Sequence, residues 1–513
     1  MSGLDWRTRP NHPERWFWVP GGSVDSGNAH LPATPTASVT AIRGHAYPVS
    51  VMNTSGPARI FDRLGTATRP SASGRLGGRA IVLGGSIAGL LAARVLTDHF
   101  DDVVIVEPDS LVDDAAPRHG VPQSRQVHTL LPAGRVQLDR WYDGFSDDLL
   151  AAGAGLATTE NSRVYYNGRL KVAVPETAMV MSTRPFLEAA LRRRALALPN
   201  LQVVGSRAVG LDVVGEAVAC VRLDGGDTLT ADFVVDATGR STRLGHWLED
   251  AGWPAPPLQR MRVDINYTTA LFHRDEVDPE VAFTFASWAI GRTPAGLAPS
   301  IINAVEGDRW IVMMGGYADD KPGRNPDALR AICAQLPPPF PQATAGELLE
   351  PITGYTQADS RRRDFHALAR FPARLAVVGD AAASFNPIYG QGMSSAALHA
   401  SCLSEYLTPG PDLGRPARAF FDLQRVIVDA AWQTSAVPDL ALPHVGARQT
   451  AMTRAGQAYA NMLIDGTVTD VALARKFSDV TFMRAHPSSL TSPAVAARTL
   501  ALAAARAIRP AHR

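Results

Sequence analysis

The sequence predicts an α/β protein in which a doubly wound, parallel-sheet domain is interrupted by a mixed-sheet domain and followed by a helical region. Three observations carry that prediction. An apolar run, a glycine turn and an apolar helical stretch follow one another from Arg79. Short apolar runs beside small-residue turns recur far downstream, and alternating aromatic and aliphatic stretches lie between them. Such a pattern belongs to a parallel sheet with helices on its faces and an antiparallel sheet set into it.

Taken in order, Met1 to Gly78 is rich in Pro, Gly, Ser, Thr and Arg, lacks useful periodicity, and reads as an irregular extension. Its aromatic patch, Trp6, Trp16, Phe17 and Trp18, is a candidate docking element, and Met52 an alternative start. Arg79 to Leu83 then reads as a strand, Gly84-Gly85-Ser86-Ile87-Ala88-Gly89 as a turn entering a helix, and Val103 to Val106 as a second strand ending at Glu107. Further strands are expected at Gln202 to Val204, Phe233 to Val235 and Leu375 to Val378. The alternating stretches Val281 to Phe285 and Trp310 to Met314 suit a half-buried sheet, and from Pro416 the chain reads as helical, ending in an amphipathic segment over Pro493 to Ile508.

Composition excludes several function classes. The 513 residues are 46% hydrophobic and 19% charged, enough to bury a core. Lys plus Arg number 50 against 49 Asp plus Glu, so no electrostatic footprint for nucleic acid exists. Cys220, Cys333 and Cys402 stand far apart, which indicates neither a disulfide framework nor a metal site and fits a cytoplasmic setting. The uncharged stretch Ala381 to Ser404 contains Asn, Gln, Pro and glycines and is not a membrane span; membrane contact is at most peripheral, through the C-terminal segment.

The chemistry-bearing residues fall into two groups. A dinucleotide needs backbone close to its pyrophosphate, a helix N-terminus aimed at that charge, and an acid for the ribose hydroxyls. Gly84, Gly89 and Glu107, 23 positions after Gly84, supply these, with Ser86 standing where the usual pattern has glycine. Far downstream, Val377-Val378-Gly379-Asp380-Ala381 and Asn386-Pro387-Ile388-Tyr389-Gly390-Gln391-Gly392-Met393 place an aspartate after a strand and a Gly-x-Gly turn before a helix. That arrangement suits a ribityl chain at the acid and a flavin pyrimidine edge at the helix N-terminus, where the dipole favours the negative charge of a reduced flavin. The single histidines His128, His366 and His399 read as structural, and Ser394 and Ser395 lack the context of a hydrolytic nucleophile.

Together with Ser182-Thr183-Arg184-Pro185-Phe186-Leu187-Glu188 and Val235-Asp236-Ala237-Thr238-Gly239-Arg240-Ser241, these motifs resemble the class A FAD-dependent monooxygenases. The segments Pro117-Arg118-His119-Gly120-Val121-Pro122-Gln123-Ser124-Arg125-Gln126-Val127-His128 and Phe385 to Met393 are most similar to bacterial polyether-type, squalene-epoxidase-like flavin epoxidases. The resemblance spans roughly 79 to 443 and implies a Rossmann-like, GR2-type FAD-binding domain interrupted by a mixed β-sheet substrate domain. The implied boundaries are an extension over 1–78, FAD-binding parts over 79–180 (with the start of the substrate domain), 181–259 and 365–415, a substrate sheet over 260–364 and a helical region over 416–513.

Residue by residue, the resemblance implies Gly84, Ser86 and Gly89 at the pyrophosphate and Glu107 at the adenosine ribose. It also implies Arg118, Arg125 and Arg184 as cofactor contacts, Val209 beside the adenine, Asp380 at the ribityl region, and Gly392 and Met393 at the flavin. No side chain or metal performs the chemistry; Pro387, Tyr389 and Gly390 would shape the flavin face. Phe283, Phe285, Trp288, Trp310, Met313 and Met314 are candidates for a lipophilic substrate wall, and alternation turns half of them the other way. The implied reaction inserts one oxygen atom from O2 through a flavin C4a-hydroperoxide, epoxidising an alkene of a lipophilic polyketide or terpenoid intermediate of specialised metabolism. A hydroxylase and a geranylgeranyl-reductase-type enzyme share the scaffold. Because Ala237-Thr238-Gly239 replaces the Asp-Gly pair of many hydroxylases, a separate flavin reductase stands beside direct NAD(P)H use as the electron source. The absence of a Trp-x-Trp-x-Ile-Pro segment argues against a halogenase.

Overall fold

The computed structural model describes residues 55–71, 74–111, 115–175, 178–275, 280–288, 299–448 and 450–508. The aromatic patch of the extension and Met52 lie outside them. Part of the stretch expected to be irregular is a helix, α1 (Ser55–Leu64), whose Phe61 and Leu64 are each 1% exposed. Two apolar anchors one turn apart are too few to stand out as a periodic pattern, but they suffice once a surface exists to receive them.

The chain then enters β1 (Gly77–Leu83), turns through the glycines into α2 (Ile87–Leu96) and returns as β2 (Phe100–Val106). With Leu201–Val204, β3 (Phe233–Asp236) and Leu375–Val377 these strands form one sheet in the order Leu375–Val377, β3, β1, β2, Leu201–Val204, with every pair parallel. Ala80 to Leu83 and Val103 to Val106 are buried throughout, as befits strands covered on both faces. A second, eight-stranded sheet is built on β4 (Leu258–His273), β5 (Arg309–Tyr317) and β6 (Thr353–Arg363). It also takes in Ser162–Tyr166, Arg169–Leu170, Phe283–Ser287, Ser300–Val305 and Ala383–Ser384, so the two sheets are interleaved along the chain. A three-stranded sheet carries Val209 on its strand Ala208–Val214.

Helix α3 (Arg184–Leu196) follows the capping residue Thr183, whose side chain accepts from the Phe186 amide. The central helix α4 (Gln391–Leu407) is buried at every position except Gly392 and Glu405. Its Ser and Ala side chains are what let neighbours approach: a Cβ on Gly134 would lie 2.6 Å from Ser394 Oγ. Helix α5 (Arg418–Asp439) packs on α4. Three more helices, α6 (Ala451–Gly466), α7 (Val471–Thr481) and α8 (Pro493–Ile508), surround a small cluster of their own, Leu463, Leu473 and Val495. Helix α8 starts where the C-terminal segment was expected to, and it packs on α6 and α7, with Arg498 paired to Asp470 at 2.8 Å. No helix among the described residues is long and apolar enough to cross a membrane.

Candidate functional site

The glycine turn owes its shape to contacts that leave no room for side chains. Gly84 has φ +103°, and a Cβ there would sit 2.6 Å from the Ala237 carbonyl oxygen. A Cβ on Gly89 would lie 1.9 Å from the Gly84 carbonyl oxygen, so only glycine lets α2 start this close to β1. Ser86, the departure from the glycine pattern, is the N-cap of α2 and belongs to a charged network. Arg184 donates to its hydroxyl at 3.0 Å and to Glu188 at 3.0 Å; Ser86 in turn donates to Glu188 at 3.3 Å. Arg118 closes the network through a short contact to Glu188 and lies 3.6 Å from both Glu107 and Asp109.

These charges hold one another in place. Burial works against the ionised forms, yet Arg184 and Arg118 keep the Glu188 carboxyl below its usual range, and Glu188, Glu107 and Asp109 keep Arg118 above its own. Glu107, 7% exposed, accepts from the Gly85 amide at 2.7 Å and the Asp109 amide at 3.0 Å, which fixes the turn against the end of β2. Glu188 had a sequence signal, since it lies four residues after Arg184 on one helix face. His128, whose ring Nδ1 lies 2.9 Å from the Gln126 carbonyl, is pushed down to about 4 by burial and by Arg184, so it is neutral at ordinary pH. Arg125 is not part of this network: its exposed guanidinium lies 3.7 Å from Glu350. Val209 is exposed on its strand.

The downstream motif meets the glycine turn directly. Gly379 has φ +61°, its amide donates to His399 Nδ1 at 3.0 Å, and a Cβ there would lie 2.5 Å from Ala88 Cβ on α2. Burial drives His399 down to about 3, consistent with its role as an acceptor. Burial also raises the half-buried Asp380 carboxyl, opposed by Arg184, Arg240 and Arg363. The Ala237-Thr238-Gly239 turn is held by Asp236, which accepts from the Thr238 amide at 2.9 Å and from the hydroxyls of Thr238 and Thr242, each at 2.6 Å. Ahead of α4, Asn386 caps the short turn Pro387–Tyr389, and Gly390, at φ +67°, opens the helix. Gly392 has open space over it, and Met393 is buried.

Strand register divides the proposed substrate wall. Thr269, opposite Met313, donates to Gln126 at 2.7 Å, and Asn303, opposite Phe283 and Ile311, donates to Thr129 at 3.2 Å. Phe283, Phe285 and Met313 therefore share the face turned toward the Gln126–Thr129 segment. Trp310 and Met314 do not: they lie on the opposite face with Phe272 and Ser300, where Arg274 covers the Trp310 ring at 4.7 Å and Arg330 the Phe272 ring at 5.5 Å. The pleat removes these two from the wall. Trp288 follows the end of its strand, half-buried against the core.

A polar cluster that sequence reasoning missed lies behind Tyr389. Asp439, the last residue of α5 and 1% exposed, accepts from the Tyr389 hydroxyl at 2.8 Å and from Asn386 Nδ2 at 3.0 Å. Asn386 also reaches the Tyr317 hydroxyl at 3.2 Å. An acid fifty residues from the turn it holds leaves no local trace in the sequence.

Residues 79–408 match the family described as FAD binding domain. This chain belongs to that family. A relative of this family member, "Protein Rv3254" of Mycobacterium tuberculosis, is 32% identical over 406 residues, which cover 73% of this chain and 83% of that one. Among solved structures, the p-nitrophenol 4-monooxygenase PnpA of Pseudomonas putida DLL-E4 is 18% identical with a TM-score of 0.58, covering 80% of this chain and 99% of that one. The flavin-dependent brominase Bmp2 is 15% identical with a TM-score of 0.57, covering 84% and 99%. At these identities the two structures share the fold. The residues present fit FAD: the turn at Gly84 and Gly89 excludes side chains, Arg118 Nη1 is buried without a hydrogen-bond partner beside it, and space lies open over Gly392.

Proposed function

We propose that the protein is an FAD-dependent monooxygenase that transfers one oxygen atom from O2 to a lipophilic small molecule, epoxidising an alkene of a polyketide or terpenoid intermediate. The observation that carries this reading is the convergence of three parts: the glycine turn with its arginine network, the Gly379–Asp380 turn packed on α2, and a sheet face bearing Phe283, Phe285 and Met313. Gly84, Ser86, Gly89, Arg118 and Arg184 would hold the pyrophosphate, Glu107 the ribose, and Asp380, Gly392 and Met393 the flavin end. FAD, once reduced, supplies the activation of O2.

The chain supplies position and dryness. Tyr389, held by Asp439, and Pro387 border the flavin end, while the apolar sheet face excludes water and orients the double bond. Electrons come from NAD(P)H, directly or through a separate flavin reductase. The unpaired cysteines, with Cys333 and Cys402 buried, support a cytoplasmic setting. The test is oxygen uptake coupled to product mass after reduction by NADPH or by dithionite. A gain of one oxygen supports a monooxygenase, and the position of that oxygen separates epoxidation from hydroxylation. A gain of two hydrogens without oxygen uptake would sink the proposal in favour of a reductase.

A further inference from the structure

Asp439 is a buried carboxyl with no ion-pair partner among the described residues, unlike Glu107 and Glu188. It also ends α5, where the helix dipole disfavours an anion. Three donated contacts compensate: two from Asn386 Nδ2, at 3.2 and 3.0 Å, and one from the Tyr389 hydroxyl at 2.8 Å. Both donors bracket the Pro387–Tyr389 turn, and the Asn386 side chain also accepts from the Ile388 amide at 3.2 Å. One carboxylate therefore fixes the turn that opens α4.

We propose that Asp439 is a positioning residue of the flavin site, whose negative charge holds Asn386 and Tyr389, and that protonation of Asp439 releases the turn and weakens cofactor binding. This rests on the reading that the flavin lies at the N-terminus of α4. An ionised carboxylate accepts at both oxygens; once one of them is protonated, Tyr389 can reverse and accept that proton, but the Asn386 amide nitrogen, which reaches both oxygens, cannot, so one of its two contacts is lost. Burial pushes Asp439 up to about 7 against those hydrogen bonds, which puts the change within reach of ordinary conditions. The groups facing it from neighbouring elements are few. Tyr389 and Tyr317 are half-buried phenols whose own ionisation is raised by burial and by Asp439. His444 stacks on Tyr317 at 5.9 Å and keeps its Nε2 2.7 Å from the Val263 carbonyl.

The test is the dissociation constant and visible spectrum of bound FAD on the full chain, from about pH 5 to about pH 9, for the parent, Asp439→Asn and Tyr389→Phe. For the parent, affinity is expected to fall as pH drops, by about tenfold, the scale of one charge-assisted hydrogen bond. D439N is expected to bind at all pH values as the parent does at low pH, with no step in affinity or spectrum. Y389F removes a donor that favours the anion, so its step is expected about one unit higher than the parent's. A parent without a step, or a D439N protein with the parent's step, would overturn the proposal. Should D439N fail to fold, an unshifted step in Y389F overturns it equally. Because these readouts are binding and absorption, a failure of the oxygen-transfer reading would not affect them.

Discussion

The two ends of the site are built on opposite electrostatic plans. At the nucleotide end, Arg118 and Arg184 face Glu107, Glu188 and Asp109, so each buried charge has a counter-charge within 4 Å. At the other end, the Asp439 carboxylate accepts, among the described residues, only from the Asn386 amide and the Tyr389 phenol. In the first arrangement Glu188 and Arg118 stabilise each other's charged forms. The second has a single carboxyl balanced between states.

The comparison can be broken most severely at the glycine turn. Gly89→Val is expected to abolish FAD retention, and even Gly89→Ala to destabilise by about 1–3 kcal/mol, since its Cβ meets backbone that cannot yield; urea unfolding and the flavin absorbance of the purified protein check this. Arg184→Ala comes next. It leaves Glu188 buried with Arg118 alone, at a cost of about 3–5 kcal/mol and with loss of cofactor, and a stability loss under 1 kcal/mol would show the network to be slack. The sheet offers a paired test: Met313→Ala and Met314→Ala should each cost about 2–5 kcal/mol, but only the first should alter the KM for substrate.

The pH dependence of stability sharpens the contrast. The folded-state value of Asp439, about 7, lies above the ordinary carboxyl value, so its contribution is fully present in acid and declines as pH rises through 7. Relative to D439N, the parent should lose stability across that window in urea melts at successive pH values, and a flat difference would contradict the raised value. The smallest effect belongs to Arg125→Ala, whose exposed pair with Glu350 is worth under about 1 kcal/mol and whose loss should leave FAD retention unchanged.

The βαβ unit, the glycine turn and the Gly379–Asp380 turn were legible because each is a short-range arrangement: the residues that make the geometry are neighbours in the chain, whereas Arg184 entered only through the family resemblance. The start of α8 was legible for the same reason, through the amphipathic pattern that begins at Pro493. Helix α1 was not, because its burial depends on a surface it does not itself form.

What only the tertiary structure decided was partnership across distance. Strand register turned Trp310 and Met314 away from Met313, although the three lie within five consecutive residues. The pairing of Arg118 with Glu188, of Arg125 with Glu350 and of Tyr389 with Asp439 joins segments tens to hundreds of residues apart. Sequence by itself determined the backbone that can receive a dinucleotide, since torsion preferences and steric exclusion act locally. Which side chains face the site, and which carboxyl is left without a cation, followed from packing, because long-range contacts set the burial and the counter-charges that govern them.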